Sequence, residues 1–447
     1  MRVVVIGGGP VGLVSGACLA GVGHDVSLVE IDERRRTMIA AGTPPFHEPG
    51  LDELLRDVVA NGKLRAVGEV ATVAPQAEAI LICVGTPPTG HGADLTALRS
   101  ASAALGDALR GASGYRAVVV KSTVPPGTTA EIVAPILRER SGLGPDALGI
   151  GMNPEFLREG VAVEDMRQPD RVVLGVTDDA SRERLSALYA PFNSPLVFTT
   201  PTGAEMAKYA SNALLSTLVS FSNEIAALCE SVDGADADDV LRAVHADRRF
   251  RPPPSRPMAP STITSYLLAG MGYGGSCFPK DTEALVAWAK ARGQATPILD
   301  AVRAVNAVRP DRVLELLKSR IDLKGAEVAV LGLAFKPDTD DLRESRSLDM
   351  IRLLQSHGAR VRAADPMAAA EGARLLGADV QVSTDALAAL RGADAAVLAT
   401  AWREYTALDP AEVRRLMRRP LVLDARRALN RVTWSEHTEY LPIGVRA

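Results

Sequence analysis

The tightest constraint in this sequence sits at its start, where the apolar run Val3–Ile6 passes directly into Gly7-Gly8-Gly9-Pro10-Val11-Gly12. Gly7, Gly9 and Gly12 make a G-x-G-x-x-G spacing, and the alanine-rich stretch behind it predicts a helix beginning near Pro10. Strand, glycine turn and helix in that order give the spacing its meaning. The glycines let the backbone approach a pyrophosphate, whose charge then rests on the helix N-terminus. Glu30 ends the second apolar run, where an acid can accept hydrogen bonds from an adenosine ribose diol and disfavours a 2'-phosphate. The cofactor expected is therefore NAD rather than NADP. The structural alternative is three turn glycines and a surface glutamate. Arg35, in the charged run beyond, is either a cofactor contact or solvated.

Short β-branched runs alternate with helix-length stretches along the chain. Strands are predicted at Val3–Ile6, Val26–Glu30, Ala79–Val84, Ala117–Lys121, Leu148–Met152 and Arg171–Gly175, and again at Glu327–Leu331, Arg360–Ala364, Ala395–Ala399 and Leu421–Asp424. From Gly203 to about Cys229 helical apolar spacing continues without Gly or Pro, which predicts one long helix. The fold class is α/β: two Rossmann-like doubly wound domains joined by a long central helix, with domains at 1–202, 203–318 and 319–447. A chain of 447 residues with 47% hydrophobic content can bury more than one core. Residues 248–260 are dense in Arg and Pro and read as a loop, since proline removes donors and clashes with a preceding helical turn.

A net charge of -4, from 50 basic and 54 acidic residues, implies no general attraction to nucleic acid or an anionic membrane. The chain runs from Met1-Arg2 straight into a strand, without an apolar signal core. No stretch approaches the ~18 apolar residues of a bilayer span. Cys18, Cys83, Cys229 and Cys277 are scattered, which suits reduced thiols in a cytoplasm and neither a disulfide scaffold nor a metal site.

Cys277 lies in Gly274-Gly275-Ser276-Cys277-Phe278-Pro279-Lys280-Asp281, a glycine turn expected to open a helix, with Asp281 one turn on along the same face. Helix N-termini stabilise thiolate, the nucleophilic form. The other cysteines fall in apolar strands or helices, where an inert buried thiol is the ordinary outcome. Lys208 and Asn212 share one face of the long helix at i, i+4, a spacing that by itself also describes a wet face.

Together these residues resemble the UDP-glucose/GDP-mannose dehydrogenases, the nucleotide-sugar 6-dehydrogenase family. The resemblance covers nearly the whole chain: Gly7 to Gly12, Cys83-Val84-Gly85-Thr86-Pro87, Ser122-Thr123-Val124-Pro125-Pro126-Gly127-Thr128, Asn153-Pro154-Glu155-Phe156-Leu157-Arg158-Glu159-Gly160, Glu205 to Asn212, Gly274 to Asp281, and Phe335-Lys336-Pro337 with Arg343-Glu344-Ser345. It implies an NAD-binding domain, a central helical region for dimerisation that carries the catalytic Lys and Cys, and a C-terminal nucleotide-sugar-binding domain. Thr86, Thr123, Glu159 and Arg343 would line the cofactor, and Thr123 and Glu155 would position water. Phe156, Leu157 and Arg158 would meet the sugar nucleotide largely through backbone, with Tyr266, Gly274, Lys336 and Arg426 also on the substrate. Lys208 and Asp281, with water, would take the alcohol proton. Cys277 would attack the aldehyde, and Lys208 and Asn212 would stabilise the oxyanion of a thioester pathway.

One segment departs from the family. Members of the UDP-glucose type carry Asp-x-Arg-Ile-Gly before the glycine turn, the arginine reaching a neighbouring subunit's sugar site. Here Asp247-Arg248-Arg249-Phe250 keeps part of that motif ahead of the Arg/Pro-rich stretch, and Arg249 is the best equivalent. UDP-glucose is the expected substrate, with dTDP-glucose and GDP-mannose as alternatives, since uracil and thymine differ by one methyl. A two-electron hydroxyacid dehydrogenase would need neither Cys277 nor residues 320–447. A silent nucleotide binder would be expected to lack the cysteine or the lysine.

Overall fold

A computed structural model describes residues 1–89, 93–247 and 266–445. Arg249 lies outside the described residues. The chain divides into two compact units, Met1–Ser211 with Glu283–Trp288, and Asn212–Thr282 with Ala289–Ala447.

The first unit is built on eight strands: β1 (Arg2–Ile6), β2 (Asp25–Val29), β3 (Leu64–Val67), β4 (Ala79–Ile82), β5 (Arg116–Val120), β6 (Leu148–Met152), β7 (Val172–Gly175) and β8 (Leu196–Thr199). Their order is β3-β2-β1-β4-β5-β6-β7-β8. Alternate side chains of each strand face opposite ways. Val3, Val5, Leu81 and Val119 bury one face with Leu13 and Ala17 of the helix Pro10–Gly21, while Val4, Ile80 and Val118 bury the other with Leu98, Leu105 and Leu137. Covering both faces is what a parallel sheet requires. β1 through β6 are parallel, but β7 pairs antiparallel to β6, and β8 runs with β7. A connection between neighbouring antiparallel strands stays at one edge of the sheet. Residues 153–171 are therefore kept at the carboxyl edge, where open α/β sheets bind ligands.

The second unit carries six parallel strands: β9 (Glu327–Leu331), β10 (Arg360–Ala364), β11 (Gln381–Ser383), β12 (Ala395–Leu398), β13 (Leu421–Asp424) and β14 (Glu439–Pro442), in the order β11-β10-β9-β12-β13-β14. Renumbered from its own first strand, this is the same doubly wound order as the first six strands of the other unit. Asp365 follows β10 as Glu30 follows β2, yet its carboxylate is saturated. One oxygen accepts from the amides of Leu333 and Ala334 and the Trp402 indole, the other from the amides of Met367 and Ala368. Ala226, Leu241, Met271, Val313 and Leu317 share the core of this sheet.

The central helix runs Pro201–Cys229, 29 residues, and the division between units falls within it. Proline is tolerated at its first position, where no intrahelical partner is lost. The fold is thus the expected α/β pair of doubly wound domains joined by a long helix. β3, β8, β11 and β14 were not expected. Each is three or four residues long and all four form sheet edges, and in β3 and β14 mixed residues such as Leu64-Arg65 or Glu439-Tyr440 give neither an apolar run nor clean alternation. No helix among the described residues is long and apolar enough to cross a membrane.

Candidate active site

In the first unit the chain leaves β1 through Gly7, whose φ of 107° favours glycine and whose amide reaches the Val29 carbonyl at 2.9 Å. A side chain on Gly12 would collide with the Gly7 carbonyl oxygen, so the helix Pro10–Gly21 packs tightly on the turn. Gly9 is different: a Cβ there would meet nothing within 4 Å. The turn therefore leaves open backbone at the helix N-terminus, as a pyrophosphate requires. Glu30 is buried, accepting from the Gly8 amide at 3.1 Å and the Asp32 amide at 2.9 Å. Arg35 donates to the Gly8 carbonyl at 3.0 Å, its Nε 3.9 Å from the Glu30 carboxylate, which fixes the acid beside the turn. These residues fit NAD. Thr86 and Thr123, on the loops after β4 and β5, are joined by the Thr86 hydroxyl donating to the Thr123 carbonyl at 2.8 Å.

The segment after β6 brings Glu155 to the central helix, where its carboxylate lies 3.1 Å from Lys208 Nζ. Both side chains are buried. Burial alone pushes the Glu155 carboxyl up, but the Lys208 ammonium, the Leu157 amide at 2.7 Å and Lys121 outweigh it and hold the acid below its ordinary range. The Phe156 ring lies under two cations, Arg171 at 4.1 Å and Lys208 at 5.4 Å. Arg158 pairs with Asp165 through its guanidinium at 2.5 Å and its own amide at 2.8 Å. The Leu157 amide also bonds within the chain, and the Arg158 carbonyl accepts from the Val161 amide at 3.1 Å, so this stretch is held by its own polar groups. Glu159 is half-buried beside them.

Sequence reasoning passed over two neighbours. Lys121 is buried at the end of β5, donating to Asn153 Oδ1 at 3.1 Å, and its burial lowers its affinity for a proton. Glu205, one turn before Lys208, accepts from the Gly127 amide at 2.6 Å and from the Thr129 amide and hydroxyl at 2.7 and 2.6 Å. It thereby ties the Lys208 helix to the loop bearing Thr123. A lysine ending an apolar strand and a glutamate three residues ahead of Lys208 were the available signals.

In the second unit Cys277 immediately precedes the helix Phe278–Lys290, its carbonyl accepting from the Asp281 amide at 2.8 Å. This is the expected helix start. Asp281 is 1% exposed; Asn212 Nδ2 donates to one carboxylate oxygen at 2.6 Å and Lys280 Nζ to the other at 2.6 Å. One amide hydrogen of Asn212 is thus given to Asp281. Cys277 is partly exposed, with the Ser276 hydroxyl 3.6 Å from its sulfur. Burial pushes Cys18 and Cys83 up to about 12 and raises Cys229, which leaves those thiols unreactive.

The glycine turn before Cys277 is walled by the loop after β9. Gly274 lies against the Glu344 carbonyl, and the Gly275 amide donates to the Arg343 carbonyl at 2.9 Å while its α-carbon faces the Phe335 ring. Lys336 Nζ is 5.8 Å from that ring. Arg426 donates to the Ala399 carbonyl at 2.5 Å and the Phe335 carbonyl at 3.3 Å, and burial lowers it to about 10. The Arg343 guanidinium pairs with Asp341 at 2.8 Å. Tyr266 stacks at a tilt on Phe278, centroids 6.0 Å apart.

Comparison with known proteins gives matches along most of the chain. Three models of the UDP-glucose/GDP-mannose dehydrogenase family match: the NAD binding domain over residues 1–193, the central domain over 202–308 and the UDP binding domain over 329–431. A UDP-glucose 6-dehydrogenase of Haloferax volcanii is 42% identical over 439 residues, covering 96% of this chain and 98% of that protein. One from Rhizobium meliloti is 40% identical over 455 residues, covering 99% of each. The solved UDP-glucose dehydrogenase of Pyrobaculum islandicum superposes with a TM-score of 0.90 at 37% identity, over 100% of this chain and 98% of that one.

Proposed function

The chain belongs to the UDP-glucose/GDP-mannose dehydrogenase family, and from that premise we propose that it oxidises the C6 alcohol of UDP-glucose to the carboxylate, with the carbon held on Cys277. It is an NAD-dependent nucleotide-sugar dehydrogenase. The glycine turn with Glu30 would hold NAD, which would supply a hydride acceptor, two NAD molecules being needed in succession for the two oxidations.

The chain's own residues handle protons, charge and the covalent bond. Lys208 and Asp281, through a water, take the hydroxyl proton as the aldehyde forms. The Cys277 thiolate adds to the aldehyde carbon to give a thiohemiacetal, and the second oxidation leaves a thioester. The Lys208 ammonium and the remaining Asn212 amide hydrogen stabilise the oxyanions. A water, placed by Thr123 and Glu155 with Asp281 or Glu155 as base, adds to the thioester carbonyl, releasing the carboxylate and returning the thiol. The observation that carries this reading is the setting of Cys277: partly exposed at a helix head, with Asp281 one turn behind it, while the other three cysteines are sealed. Without that covalent hold the aldehyde could leave between oxidations.

In this reading Gly7, Gly9, Gly12, Glu30, Arg35, Thr86, Thr123, Glu159 and Arg343 hold the cofactor. Phe156, Leu157, Arg158, Tyr266, Gly274, Lys336 and Arg426 hold the sugar nucleotide, with Arg249 as the inter-subunit contact. The roles divide as cofactor binding at 1–202, dimerisation and catalysis at 203–318, and nucleotide-sugar binding at 319–447. Dimerisation is supported by Leu214, Phe221 and Leu228, seven residues apart on the central helix and 55%, 47% and 58% exposed. A cytoplasmic setting is supported by four cysteines of which none is in a disulfide.

The test is NADH formation across UDP-, dTDP- and GDP-sugars. With limiting UDP-glucose, two NADH per sugar nucleotide are expected. A yield of one would remove the twofold oxidation, and preference for a dTDP- or GDP-sugar would change the substrate while keeping the chemistry.

A further inference from the structure

Residues 269–275, leading to the cysteine, are buried yet form neither helix nor strand. A buried irregular segment cannot leave its peptide groups without partners, so side chains must supply them. Here they do so at two residues. Gly270 gives its amide to Asn223 Oδ1 at 2.7 Å and accepts at its carbonyl from Arg309 Nε at 2.7 Å. Tyr273 gives its amide to Asn306 Oδ1 at 2.8 Å and accepts from Asn306 Nδ2 at 3.1 Å, so one carboxamide grips both polar groups of a single residue. Asn223, Asn306 and Arg309 are all buried.

Asn306 sits inside the helix Pro297–Ala307, where asparagine is a weaker helix former than leucine and burying an amide carries a cost. Its side chain is therefore explained by what it holds and not by the helix it stands on. Tyr273 also reaches past the cysteine, its ring meeting Phe278 edge-on at 6.0 Å, so it touches the first residue of the helix that Cys277 heads. Gly272 leaves no alternative path: a Cβ there would collide with Asn306 Oδ1.

We propose that Asn306 is a positioning residue of this enzyme: its carboxamide fixes the Tyr273 peptide, and through the turn Gly274-Gly275-Ser276 it sets where the Cys277 sulfur stands at the head of the helix Phe278–Lys290. This rests on the assignment of Cys277 as nucleophile. The charged groups beside that sulfur in sequence are Lys280 and Asp281, and Arg346 Nε also donates to the Tyr273 carbonyl, at 3.3 Å.

The test compares wild type, Asn306→Leu, which keeps the branching and heavy-atom count and loses both hydrogen bonds, and Asn306→Asp, which keeps the acceptor and loses the donor. Iodoacetamide labelling of each cysteine is followed by peptide mass spectrometry from pH 6 to 10, beside kcat and both KM values. Misplacement on the scale of an ångström lowers kcat by about 100-fold. Asn306→Leu is expected to show that loss with little change in KM, together with a Cys277 labelling curve displaced to higher pH. Asn306→Asp should fall between it and wild type. Cys18, Cys83 and Cys229 are buried and report folding in the same sample. Wild-type kcat and labelling in Asn306→Leu would overturn the proposal. So would rapid labelling of all four cysteines in both variants, since Asn306 would then hold the fold as a whole. Cys277→Ala run in parallel keeps the two readings apart: if it turns over, the nucleophile assignment fails, while the labelling shift still reports the position of the sulfur.

Discussion

Glu155 and Glu205 are buried in the same unit but lie in opposite electrostatic settings. Glu205 accepts from peptide amides and a hydroxyl, and burial raises it. Glu155 has Lys208 at 3.1 Å and is held low. Because the folded Glu155 lies below its unfolded value, its contribution to stability is complete above the ordinary glutamate pKa of ~4.3 and is lost as pH falls through the lower, folded value. Glu155→Gln removes the carboxylate charge beside a buried ammonium, and the expected loss is about 3 kcal/mol in a urea titration at pH 7. A loss below about 1 kcal/mol would place Lys208 in water, as for a surface pair. At Cys277, serine is similar in size but scarcely ionised, and its ester resists hydrolysis where a thioester does not. Cys277→Ser should bind NAD and UDP-glucose normally while turnover falls on the order of a thousandfold or more. Mass spectrometry should find a hexuronyl-nucleotide adduct on the peptide holding residue 277. Lost binding with lost turnover would make this cysteine a structural residue.

Among elements, the turn after β1 separates two jobs that glycine can do. Gly12→Ala forces a methyl into the Gly7 carbonyl and should lower Tm. Gly9→Ala has room and an ordinary extended φ of -69°, so Tm should hold while the methyl enters the space of a pyrophosphate. KM for NAD is expected to rise about tenfold or more for Gly9→Ala. An unchanged KM would mean that this turn does not carry the phosphates. Elements such as this one were legible in the sequence because local rules govern them: apolar period, glycine spacing, a cysteine after a glycine turn. The short strands β3, β8, β11 and β14 were not, since their pairing depends on neighbours far along the chain. The reversal at β7 was also hidden, because strand direction leaves no mark on composition. Side-chain commitments were the least legible. Nothing in Asn212 alone says that one amide hydrogen goes to Asp281, and nothing in Asn306 says that it grips Tyr273 across 33 positions.

For the molecule as a whole, the stripe Leu214, Phe221 and Leu228 predicts association of two copies. Phe221→Glu should convert a dimer into a monomer in sedimentation at micromolar concentration. A wild-type monomer would contradict the dimer directly. The other whole-molecule consequence comes from Asp365. Two sheets wound in the same order offer two sockets of one pattern, but the acid that in the first could greet a ribose is, in the second, wired to five donors of its own chain. The second acid is committed to its own fold and has nothing left for a ribose diol. Calorimetric titration should therefore count one NAD per chain, and Asp365→Ala, far from creating a second dinucleotide site, should free the Leu333, Ala334 and Trp402 donors and lower Tm.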